Sequence, residues 1–224
     1  MIDDIKDQNW LKQVITISAY TTIGRLDKLT AALHKALDFG VTVNEIKEVF
    51  IHLYSYAGSP RSVRGINTLI AVLNDRKERG IADDLGKESG LIGDASDKYE
   101  NGEAVQMKIT GMSASALKST GYATLVPTID VFLKEHLFFD IFGRDLLSYN
   151  TREIITIATL ISMGGVEPII QSHYIAASQL GVPQENIWLI IDVLEDELGT
   201  EKVASAREIA SKVFADLENA KMQI

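Results

Sequence analysis

Apolar residues recur every three or four positions along much of the chain, the period of a helix with one buried face. This spacing predicts helices over 8–23, 25–39, 43–57 and 60–82. The punctuation agrees. Gly40 can take the left-handed conformation that closes a helix, and Thr42 with Glu45 matches a capping box that opens the next. Ser59 before Pro60 places a capping side chain ahead of a proline at the first helical position. Residues 83–112, rich in Gly, Asp, Glu, Lys and Ser, keep no helical period and read as a linker holding at most a short ordered piece. Between 113 and 148 the apolar stretches ATLVPTIDVF and HLFFDIF are expected to be helical again.

The pattern is written twice. VITI at 14–17 recurs as IITI at 154–157, and the same offset of 140 pairs Gly24 with Gly164. One inserted residue then shifts the offset to 141, which pairs Ala36 with Ala177, Gly40 with Gly181, Ile46 with Ile187 and Gly58 with Gly199. The expected fold class is all-α, two helical repeats packed as a pseudo-dimer. Repeat one is assigned to 1–85, the linker to 86–112 and repeat two to 113–224.

Composition narrows the chemistry. Among 224 residues, 31 acidic side chains against 22 basic ones leave a net charge of −9 and no basic stripe, so nucleic acid is not expected as a partner. With no cysteine, the chain can form no disulfide, thiolate metal site or thiol redox centre. No leader of basic then apolar residues and no run of 18 apolar residues is visible, so a cytoplasmic location without membrane association is expected. DASDKYENGE places Tyr99 where a calcium loop needs glycine, and GMSAS lacks the final glycine of a nucleophile elbow. No metal site is expected.

Three positions stand out. His173 lies in an apolar stripe with Val166, Ile169, Ile170, Ala177 and Leu180, where it is either a core histidine bonded to main chain or a proton shuttle. On the third helix, Glu48 and His52 share the face opposite the core stripe of Ile46, Val49, Phe50 and Leu53. The matching residues of the second repeat, Leu189 and Val193, lie in IWLIIDVL, which is apolar nearly all round, so the face bearing Glu48 and His52 is expected to be covered as well. A covered carboxylate and imidazole need partners. Arg61, after the AGSP turn, and Arg152, in TREIITIA, are candidates for binding a substrate carboxylate, against surface or capping roles.

The stretch LTAALHKALDFGVTVNEIKEVFIHLYSYAGSPRS, and the HxxxAxxxG spacing of His173, Ala177 and Gly181, resemble the carboxymuconolactone decarboxylase family, which includes the alkylhydroperoxidase D-like proteins. KEVFIHLYSYAGSP and FGRDLLSYNTREIITIA are similar to the decarboxylase branch. The resemblance covers both repeats and implies lyase chemistry without metal or organic cofactor. His173 matches the family histidine, and Glu48 and His52 match its downstream Glu and His. The redox branch of the family carries a CxxC pair. Here those positions are Val166 and Ile169 in one repeat and Arg25 and Lys28 in the other, which excludes that branch's thiol peroxidase chemistry. Ala32 replaces the motif histidine in repeat one and Leu189 replaces the Glu in repeat two, so the groups are divided between the halves. Two arrangements are compatible with that division: one composite pocket of His173, Glu48 and His52, with Arg152 and Arg61 as substrate ligands, or decay of both pockets. The expected partners are a small-molecule substrate and further copies of the chain in a homo-oligomer. The leading function is a cofactor-independent lyase or isomerase acting on a small carboxylated or lactone-like substrate. The alternatives are a non-catalytic binding or assembly protein and, third, a peroxidase-associated protein without its own thiols.

Overall fold

Two helices, α1 (Gln8–Ile23) and α9 (Tyr149–Met163), lie side by side and form the spine of the molecule. The computed structural model describes residues 7–91 and 93–221; residues 1–6, part of the stretch read as lacking a leader, lie outside them. The fold is all-α, and no strand occurs among the described residues.

Each spine helix is buried nearly all round, from Trp10 to Thr22 on α1 and from Thr151 to Ser162 on α9. Both carry hydroxyl residues, which a buried helix tolerates because each hydroxyl bonds the carbonyl four residues back. Ser18, Thr21 and Thr22 do so on α1, and Thr156, Thr159 and Ser162 on α9.

Around α1 pack α2 (Leu26–Phe39), α3 (Val43–Tyr56) and α4 (Ser59–Glu78). Their boundaries fall within a few residues of those predicted. Gly40 takes φ 98°, and Thr42 with Glu45 closes both bonds of the capping box. The start of α4 differs by one residue: Gly58, at φ 84°, is the cap, so Ser59 is already helical and its side chain caps nothing. Around α9 pack α10 (Glu167–Gln179), α11 (Gln184–Leu198) and α12 (Thr200–Lys221). The two groups meet directly, since α11 packs on α1 as well as α9, and α3 packs on α9.

Residues 83–91 cross the start of α3. Val43 and Asn44 donate their amides to the carbonyls of Asp84 and Leu85, and the Gly90 amide reaches Asp145 Oδ1 at 2.7 Å. Within the stretch read as linker, Lys98–Thr110 forms a helix, α5, despite its weak apolar period. Short helices α6 (Ala114–Lys118), α7 (Gly121–Leu125) and α8 (Pro127–Val131) lead to a π-helix at Phe132–Phe142. What holds α5 is tertiary. Lys134, fully buried in the π-helix, reaches Asp130 at 2.8 Å, Glu103 at 2.9 Å and the Tyr99 hydroxyl at 2.8 Å.

The backbones of α5 and the π-helix also touch at Gly102, where an added Cβ would stand 1.8 Å from the Lys134 carbonyl oxygen. Gly102→Ala is therefore expected to push the pair apart and cost about 1–3 kcal/mol, read as a lower urea midpoint.

Candidate functional site

Helix α3 carries Glu48, His52 and Tyr56 at successive turns, and this row faces α9. As the repeat predicted, the face is covered: Glu48 is 2% exposed and His52 fully buried. From α9 come Arg152, Glu153 and Thr156, all fully buried, and from α10 comes His173. The π-helix adds the Phe142 ring, 5.1 Å from that of His52, and just beyond its end Arg144 turns back to Glu48.

The carboxylates are divided in a way the sequence did not show. Glu48 receives a bidentate bond from Arg144, Nη2 to Oε1 at 2.7 Å and Nε to Oε2 at 3.0 Å, and a further bond from Arg152 Nη2 to Oε2 at 3.0 Å. It is locked between two guanidinium groups. His173 instead takes Glu153, its Nδ1 lying 2.7 Å from Glu153 Oε2. The bland expectation of a histidine bonded to main chain is thus replaced by a carboxylate–imidazole pair. His173 is also less enclosed than the stripe implied, with 18% of its side chain exposed against 0% for Glu153. The buried face of α10 is Ile170, Tyr174 and Ala177, while Ile169 is 48% exposed, because contact with α9 and α12 turns the helix away from the predicted face.

Tyr56 joins the two imidazoles. Its ring centroid lies 5.1 Å from that of His52 and 5.8 Å from that of His173. Burial, reinforced by the Glu153 charge, holds the Tyr56 phenol well above its usual range, so it stays protonated. His52 Nε2 lies 2.7 Å from Thr156 Oγ1, and that hydroxyl gives its proton to the Arg152 carbonyl. This network assigns His52 as the neutral tautomer with hydrogen on Nε2 and a bare Nδ1. Burial pushes the His52 imidazole well below 6.5, and the charges of Arg152 and His173 act in the same direction.

Stability is tied to pH as a result. Below pH 6.5 the unfolded chain protonates this imidazole and the folded chain does not, so stability drops as the pH is lowered, by up to about 1.4 kcal/mol per unit from this group. Urea titrations between pH 7.5 and 5 are expected to show a smaller loss of stability in His52→Gln than in the parent protein.

Four buried atoms of the cluster have no protein partner: His52 Nδ1, Arg152 Nε, Arg152 Nη1 and Glu153 Oε1. They are two donors and two acceptors around one imidazole. Arg61 lies elsewhere, at the exposed start of α4, with its guanidinium over Gly24 at the end of α1. Sequence reasoning missed Glu153, Arg144, Tyr56 and Thr156. A signal for the first was present: Glu153 adjoins Arg152 in a helix whose other residues are nearly all apolar or small hydroxyl types.

Fold and site together define a helical protein with an imidazole backed by a buried carboxylate, flanked by a buried guanidinium and a second, neutral imidazole. Residues 131–212 match the model of the Carboxymuconolactone decarboxylase family. A 64-residue stretch, 29% of this chain, is 33% identical to the 4-carboxymuconolactone decarboxylase of Acinetobacter baylyi (strain ATCC 33305 / BD413 / ADP1). It spans about half that relative's length, 48%. The family match includes Arg152, Glu153, Thr156 and His173; Glu48, His52 and Tyr56 lie outside it.

Proposed function

We propose that the protein is a cofactor-independent lyase or isomerase acting on a small carboxylated or lactone-like substrate by proton transfer through His173. The observation that carries this reading is the 2.7 Å bond between His173 Nδ1 and the fully buried Glu153 carboxylate. The bond keeps the Nδ1 hydrogen in place, which leaves Nε2 as the exchanging nitrogen, and the Glu153 charge stabilises the imidazolium that forms. Arg152 Nε and Nη1 are donors suited to a substrate carboxylate or oxyanion. In a decarboxylation, breaking the carbon–carboxylate bond leaves its electron pair on the conjugated carbons, and the imidazolium returns one proton. In an isomerisation the same nitrogen removes a proton from one carbon and returns it to another. Glu48, bound on both oxygens, serves to hold Arg152 rather than to move protons.

The site draws α3 from the first half and α9 and α10 from the second, which supports the reading of two repeats packed as a pseudo-dimer. The non-catalytic alternative is favoured by the same engagement of Glu48, which leaves one acidic group rather than two at the imidazole. The two readings separate in one assay. Unsaturated lactone carboxylates are offered to the parent protein and to His173→Ala, and carbon dioxide release and ultraviolet absorbance are followed. Turnover lost in the variant with its helical circular dichroism intact supports the enzyme; equal turnover removes His173 from the mechanism.

A further inference from the structure

A cavity of about 700 Å³ opens between α1, α2 and α11, lined by side chains that take no part in the His173 cluster. Its place in the sequence repeat shows what it is. At the offset of 140, Gln13 and Thr16 on its wall correspond to Glu153 and Thr156. At the offset of 141, Ala32 corresponds to His173, Val193 to His52 and Glu197 to Tyr56. The cavity therefore sits on the first repeat where the imidazole cluster sits on the second. A methyl group replaces one imidazole, an isopropyl group the other, and a carboxamide the backing carboxylate. The proton-transfer groups are gone and the space is left.

The charges around that space are specific. Lys12, Lys28 and Lys35 line it, and none has a carboxylate within ion-pair distance among the described residues. Lys12 stands where the second repeat has Arg152. On the acidic side stand Asp196 and Glu197; Glu197 accepts from the Tyr20 hydroxyl, whose pKa is pushed up to about 12 by burial and by Glu197 itself, so it remains a donor. Three ammonium groups against two carboxylates leave this lining with a net positive charge in a chain of net charge −9, against the overall field. Ala31, Ala32, Phe39 and Val193 supply apolar wall. Small-molecule sites combine such a wall with a few placed polar groups.

We propose that this cavity is a second binding site, for a small organic carboxylate with an apolar body, and that it binds without transforming. It rests on the cavity and its lysines, not on catalysis by His173. Adipate, a six-carbon dicarboxylate, is the probe, titrated calorimetrically into the full chain at low ionic strength, with 1,6-hexanediol as the uncharged counterpart. The expected result is adipate binding that His173→Ala leaves in place and that added salt weakens. Lys28→Gln/Lys35→Gln, at exposed positions where folding is not at risk, is expected to weaken it about tenfold. Hexanediol is expected to give no heat. No adipate binding at millimolar concentration, binding that the double lysine variant leaves unchanged, or binding lost in His173→Ala would overturn the proposal. A loss of turnover in His173→Ala with adipate binding retained separates this site from the catalytic reading.

Discussion

Glu48→Leu is expected to lower the free energy of unfolding by about 3–5 kcal/mol, a large part of the roughly 5–15 kcal/mol that holds a domain together. Arg152 is fully buried, and burial already pulls its guanidinium down from its usual value; Glu48 is what opposes that pull. Without the carboxylate, a charge is left inside the protein with no opposite charge beside it. Arg144 suffers less, because 24% of its side chain remains exposed. The test is a pair of urea titrations. Glu48→Leu should shift the midpoint strongly with little change in slope, and Glu48→Leu/Arg152→Met should recover much of the loss, since replacing a whole buried ion pair by apolar groups is far less costly than breaking it. A single variant as stable as the parent protein would show that Arg152 finds another partner.

The second large effect is on rate. Glu153→Gln keeps the size of the side chain and removes its charge, so in the proposed proton transfer the His173 imidazolium loses its counter-charge. With general acid–base catalysis worth about 10²–10⁴-fold, kcat is expected to fall within that range while KM changes little, because Glu153 faces His173 and not the substrate. His173→Ala should fall as far or further. The double variant should be little worse than His173→Ala alone, since the two groups act as one unit. Additive losses would place Glu153 in a separate role.

The relation of these residues to the sequence is uneven. The helices of the first half were legible to within about four residues, and most closely around Gly40, Thr42 and Glu45, which act locally: a left-handed glycine and a capping box need only their own few neighbours. The burial of Glu48 and His52 was legible too, by comparison with the apolar IWLIIDVL of the second repeat. What each buried group bonds to was not. Arg144 and Arg152 reach Glu48 across 96 and 104 residues of chain, and no local period reports such a pairing. Helix α5 illustrates the same limit, since its weak apolar pattern is offset by Lys134 and by the close approach at Gly102.

The sequence by itself determined the all-α class, the recurrence of apolar and glycine positions at offsets of 140 and 141, the lack of cysteine and the choice of His173 as a candidate, because these rest on periodicity, spacing and residue inventory. Only the tertiary structure decided that Glu153 rather than Glu48 backs His173, that Glu48 is held by two arginines, and that the other half keeps an open, lysine-lined cavity. Charge pairing depends on which helix faces meet and at what rotation, and that is settled by packing across the whole molecule rather than by any stretch of chain.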